Sequence, residues 1–132
     1  MMTAQDILKM IQAVDPNQPE KLDQIDCEVE AFIRDTGTHY ADGYWWVYSD
    51  RGDNPESYTP KQYTRSRDAL KAIRPKRWMF CIEELAEGAW TSTLEYDIAS
   101  GWVSFYSQPL PTEELAELRA IIQAIAHERG ER

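Results

Sequence analysis

Histidine and cysteine are nearly absent: His39, His127, Cys27 and Cys81 are all there is among 132 residues. Metal sites and activated nucleophiles draw heavily on these two residue types, so the scarcity narrows the chemistry at once. No HExxH, CxxC pair or Asp-x-Asp-x-Asp-Gly loop occurs, which removes the zinc and calcium motifs of defined ligand spacing. Two isolated cysteines make no disulfide framework, and both read as reduced, mostly buried thiols. Glycine is also sparse, and no glycine-rich loop follows a strand and opens a helix, so nucleotide phosphates find no cradle. Apolar runs approaching eighteen residues are missing, and Met1–Val14 reads as an amphipathic helix rather than a signal peptide. The expected location is the cytoplasm, with no membrane contact.

Basic residues are outnumbered, 14 against 23 acids, and their distribution is uneven. Residues 1–60 hold twelve acids and four bases, residues 78–132 ten acids and three bases, whereas residues 61–77 hold one acid and seven bases. An acidic chain of this kind has no broad positive field for a phosphate backbone, so direct nucleic-acid binding is not expected. The basic island reads as solvated surface and internal pairing with the acidic helices; Arg65, Arg67, Lys71 and Arg74 are its candidates for contact with an anion.

What is abundant is apolar and aromatic side chain, 42% hydrophobic with five tryptophans and seven tyrosines, too rich for disorder. The length suits one domain over 1–132. Thr3 with Asp6 three residues on marks a helix start, and Ile7, Leu8, Ile11 and Val14 form its apolar stripe over about 4–13. Pro19 opens a second helix over about 19–35, with Leu22, Ile25, Val29, Phe32 and Ile33 at helical spacing. Glycines and prolines scattered through 36–62 predict a long loop holding the burst Tyr44-Trp45-Trp46-Val47-Tyr48, an edge strand or an aromatic plug.

From residue 63 the pattern is regular. Thr64 or Ser66 caps a short helix that ends at Ile73 before Pro75. Trp78–Glu84 predicts a strand apolar on both faces, Trp78, Phe80 and Ile82 on one and Met79 and Cys81 on the other, which would need cover on both sides. Strands over Ala89–Tyr96 and Trp102–Ser107 follow after turn residues, completing an antiparallel meander. Thr112 then caps a helix carrying Leu115, Leu118, Ile122 and Ile125. The fold class expected is α+β, a three-layer α-β-α sandwich around a small antiparallel sheet of at least three strands.

Catalytic constellations are hard to assemble. Cys27 lies on a helix between Ile25 and Val29, so Cys27, His39 and Asp42 read as structural rather than as a nucleophile, base and acid. Asp50, Asp53, Asn54 and Glu56 read as turn residues, and Glu83, Glu95 and Asp97 as solvated acids. No catalytic residue, metal or cofactor is expected. Tyrosine and tryptophan on an adaptable segment are the types that carry binding energy at interfaces, so Tyr44, Trp45, Trp46 and Tyr48 are the candidate contact residues.

Five segments in order carry a family resemblance: Ile25-Asp26-Cys27-Glu28-Val29, Tyr63-Thr64-Arg65-Ser66-Arg67-Asp68-Ala69-Leu70, Trp78 leading a strand, Gly88-Ala89-Trp90, and Thr112-Glu113-Glu114-Leu115-Ala116. Over residues 23–128 the chain resembles the phage ABA sandwich domain family. It departs from that pattern at Asp68-Ala69-Leu70, where a double alanine is usual, and residues 1–18 lie outside the match. The resemblance implies the sandwich fold and a phage or prophage origin, hence a bacterial host cytoplasm, and assigns no activity. The function expected is an accessory protein that binds a protein partner. The alternatives are an acidic inhibitor of a host defence or nucleic-acid enzyme, and a small-ligand binder or enzyme with a pocket under 36–62 lined by Trp45, Tyr63 and Trp90. Oligomeric state is left open by the sequence.

Overall fold

A computed structural model describes residues 2–41, 44–48, 55–57, 61–76, 78–98, 101–106 and 108–130, with the side chains of 39, 41, 44, 48, 55–57, 94–98 and 101–106 outside the description. Among the described residues the secondary structure is α+β with four helices. Within a length that suits one domain, the chain gathers into two compact units, Met1–Thr64 and Arg65–Arg132.

The first unit opens with α1 (Ala4–Ala13). Its capping box is complete: Asp6 N–H donates to Thr3 Oγ1 at 3.2 Å and Thr3 N–H donates to Asp6 Oδ2 at 3.1 Å. That backbone hydrogen bond from Thr3, with the Thr3 hydroxyl behind it, holds the Asp6 carboxyl below its ordinary value. Ile7 and Ile11 are fully buried, and α1 packs on α2 (Pro19–Arg34). Asp35 ends α2 in the left-handed conformation, φ 57°, and Thr36 N–H reaches back to the Ala31 carbonyl at 2.9 Å. This closes the last turn as a glycine usually does.

The described residues of 36–62, a segment expected as a long loop, form three strands: β1 (Thr38–Ala41), β2 (Tyr44–Tyr48) and β3 (Pro55–Ser57), paired antiparallel in the order β1-β2-β3. The aromatic burst is therefore the middle strand, neither an edge nor a plug. Ala41 pairs with Tyr44, leaving Asp42-Gly43 between them, and Asp-Gly between two extended runs is a strong hairpin signal. α2 packs against β2, with Cys27 and Ala31 meeting Val47 and Trp45.

In the second unit Ser66 caps α3 (Arg67–Ile73), its Oγ accepting the Ala69 N–H at 3.3 Å. β4 (Trp78–Ala86), β5 (Ala89–Ile98) and β6 (Gly101–Tyr106) pair antiparallel in chain order, and α4 (Glu113–Glu128) follows. The β4–β5 connection is Glu87-Gly88, where φ of +72° at Gly88 calls for a residue without Cβ. Cover for β4 comes to one face. Ala120 and Ala124 of α4 bring that helix close to Trp78, with Phe80 beside it. Met79 is 54% exposed and Cys81 is exposed as well, so the second face of β4 is open and Cys81 is not the buried thiol expected. An apolar count gave both faces equal weight, but a helix covers whichever face its small residues can approach. Among the described residues no helix is long and apolar enough to cross a membrane.

Candidate functional site

Two aromatic residues of the first unit, Tyr40 and Trp45, meet by cross-strand pairing. In the β1–β2 ladder Tyr40 lies opposite Trp45, and their rings meet at 5.0 Å between centroids with planes tilted by 54°. Tyr40 is 57% exposed, whereas Trp45 is half-buried against Cys27, Ala31 and Val47. Trp45 is thus anchored by the core and offers its remaining surface together with Tyr40. Trp46, also half-buried, occupies the next position of the strand and so belongs to the opposite face from Trp45. Tyr44 and Tyr48 lie in β2 with side chains outside those described. The four predicted contact residues therefore share one strand rather than one surface. Tyr40 was missed because it stands apart from the 44–48 burst; only the β1–β2 register brings it opposite Trp45.

Behind this sheet, α2 carries three buried acids, Asp26, Glu28 and Glu30. Asp26 Oδ1 accepts the Thr64 N–H at 2.8 Å, Glu28 accepts the Thr38 hydroxyl, and Glu30 accepts the Tyr63 hydroxyl and, at 3.0 Å, Arg34 Nε. Asp26 and Glu30, four residues apart on one helical face, together hold the Tyr63–Thr64 segment against α2. Burial pushes the Glu28 carboxyl up, against the opposing Thr38 hydrogen bond. Burial pushes the Cys27 thiol up to about 12, and Glu28, Glu30 and Asp26 add to it. A thiol so strongly protonated is no nucleophile at neutral pH. Of the other two residues weighed with it, Asp42 and the His39 side chain lie outside the description. Tyr63, one of the three residues imagined around a small-ligand pocket, is buried with its hydroxyl committed to Glu30.

The basic island is partly spent inside the second unit. Glu117 of α4 is fully buried and is met by Arg67 Nε at 2.7 Å and by the Arg74 guanidinium; Arg67 also pairs with Glu113. Arg74 lies over the Phe80 ring at 4.5 Å, and burial, with Arg67 nearby, lowers its pKa. Lys71 is exposed and Arg65 half-buried. Of the four candidates for an external anion, two are thus engaged with an internal one. Of the acids weighed as cation ligands, Asp50, Asp53 and Asn54 are outside the description, and no group of three metal-ligating side chains occurs among the described residues.

A cleft of ≈ 370 Å³ opens at the turn between α1 and α2, with Met10, Val14 and Ile25 on its apolar side and Asp15 and Lys21 on its polar side. Its charges are opposite in sign and exposed, so it has no strong preference for a ligand of either charge. No protein-family model, curated protein or solved structure matches the chain.

Proposed function

We propose that the chain is a binding protein of phage or prophage origin, similar to the phage ABA sandwich domain family, that engages a protein partner in the host cytoplasm through the Tyr40–Trp45 surface and performs no catalysis itself. The observation that carries this reading is the aromatic pair: an exposed tyrosine meeting a core-anchored tryptophan, 5.0 Å between centroids and tilted by 54°, is an amphipathic contact of the kind that dominates interfaces. The three-layer α-β-α arrangement around an antiparallel sheet of at least three strands belongs to the same proposal; its support is α4 against β4 and β5, and helices before and after the strands in chain order.

The test is a tagged pull-down from bacterial lysate with and without phage infection, comparing the parent chain with Tyr40→Ala and with Tyr40→Asp. Both variants should keep the parent's circular dichroism and lose the retained partner. Full retention by the folded variants would sink the proposal.

A second reading is favoured by one observation, the engagement of Arg67 and Arg74 with Glu117, which leaves a chain of net charge −9 with still fewer cations to display. It makes the partner a nucleic-acid or host-defence enzyme whose basic groove the acidic surface occupies. Binding would then weaken steeply with salt; a salt-independent affinity would leave the aromatic contact alone as the explanation.

A further inference from the structure

β4 is the end of its sheet. It pairs with β5 and, among the described strands, with no other. A strand edge presents unpaired N–H and C=O groups, and proteins blunt such edges with proline, short length or charges inside the strand. β4 runs for nine residues without proline and without a charge between Trp78 and Ile82. Its outward side chains include Met79 at 54% and Leu85 at 55% exposure, with the Cys81 thiol between them. Charges of opposite sign flank its apolar stretch: Lys76-Arg77 precede the strand and Glu83-Glu84 are its sixth and seventh residues.

A strand that is basic on entry and acidic on exit complements its own reversed copy. We propose that β4 pairs antiparallel with β4 of a second copy of this chain, about a two-fold axis at Phe80. In that register Lys76 faces Glu84, Trp78 faces Ile82 and Met79 faces Cys81, each pair occurring twice by symmetry.

Two constraints select the register. Odd-numbered residues must oppose odd-numbered ones, or the buried face of one copy would continue into the open face of the other. Of the registers with that parity, those shifted by one step place Lys76 opposite Ala86 or Ile82 and leave it without an acid. The chosen one joins the two sheets into a single six-stranded sheet. It also gathers Met79 and Cys81 of both copies into one patch, so the exposed apolar side chains of each strand gain apolar neighbours across the axis. The flanking charges discourage pairing with unrelated strands and favour this one, as a specificity device must.

Sedimentation velocity of the full chain at rising concentration should show a monomer–dimer equilibrium. Lys76→Glu and Glu84→Lys, both at exposed positions, should each weaken the dimer by about tenfold, because each places like charges opposite one another twice. The combined variant reverses both partners and should recover the parent's dimer. Independently, Met79→Cys should cross-link to Cys81 of the second copy under diamide, since directly opposed antiparallel residues lie within disulfide reach, about 4.5–5.5 Å between Cα atoms. The linked peptides, identified by mass, would come from a covalent dimer that reductant dissolves. A monomer at every concentration overturns the proposal, as does a dimer indifferent to the single charge reversals, or a combined variant no better than either one.

Discussion

Both units bury carboxylates on a helix, and they handle the charge differently. On α2 the acids Asp26, Glu28 and Glu30 are met mainly by uncharged donors: the Thr64 N–H, the Thr38 hydroxyl and the Tyr63 hydroxyl. On α4 the single fully buried acid, Glu117, is met by two guanidinium groups. Neutral donors leave a buried carboxyl free to take up a proton, because they offset only part of the lost hydration; paired cations favour the ionised form outright. At Glu28 the first arrangement makes the stability follow pH. The second makes it depend on the partners being present.

The largest effect should come from stripping the cations. Arg67→Met with Arg74→Met leaves Glu117 buried alone and should cost about 3 kcal/mol at neutral pH, measured by urea unfolding. Glu117→Leu should cost less, under about 2 kcal/mol, since both arginine side chains are about a third exposed and can turn to water. Equal costs for the two variants would erase the contrast between the helices.

Next in size is Tyr63→Phe, which removes the hydroxyl from Glu30 while Arg34 stays. A loss of about 1–2 kcal/mol is expected, and a neutral result would mean that the hydroxyl is no net support for the buried acid.

Glu28 sharpens the comparison through pH. Its folded-state pKa is raised, so the folded chain binds more protons than the unfolded one between the ordinary and the raised values. Its contribution is therefore full below the ordinary carboxyl range and declines as pH rises through the raised one. Glu28→Gln should match the parent in acid and be the more stable at neutral pH. A variant that loses stability in parallel with the parent across the whole range would place the titration elsewhere.

The smallest effect is on reactivity and leaves stability aside. Cys27, held protonated by burial and the α2 acids, should resist iodoacetamide in the native state, while the exposed Cys81 should react; one adduct by mass is expected, and two only after unfolding.

Much of the fold was legible because its signals are local. Thr3, Ser66 and Thr112 each accept the N–H three residues on, as their positions ahead of apolar periodic runs suggested. Glu87-Gly88 marked a turn for the same reason. The 36–62 segment departs from the expected loop because scattered glycines and prolines read as breakers, whereas Thr38–Ala41 and Tyr44–Val47 pair across strands. The candidate site was half legible: Trp45 stands out by composition, but Tyr40 joins it only through the β1–β2 register. Alternation along β2 also separates Trp45 from Trp46, which a reading of five adjacent residues runs together.

By itself the sequence determined the helix starts and stops, the turn at Gly88 and the opposite charges flanking the apolar stretch of β4, since caps, turns and flanking charges depend on residues within a few positions. Only the tertiary structure decided which arginines meet Glu117, which hydroxyl meets Glu30 and which face of β4 stays open. Those partners are 43 residues apart for Arg74 and Glu117 and 33 for Tyr63 and Glu30. At such separations every acid in the chain is an equal candidate until packing removes water from one of them. Burial makes the choice, because an unpartnered charge costs little at the surface and several kcal/mol, roughly, inside.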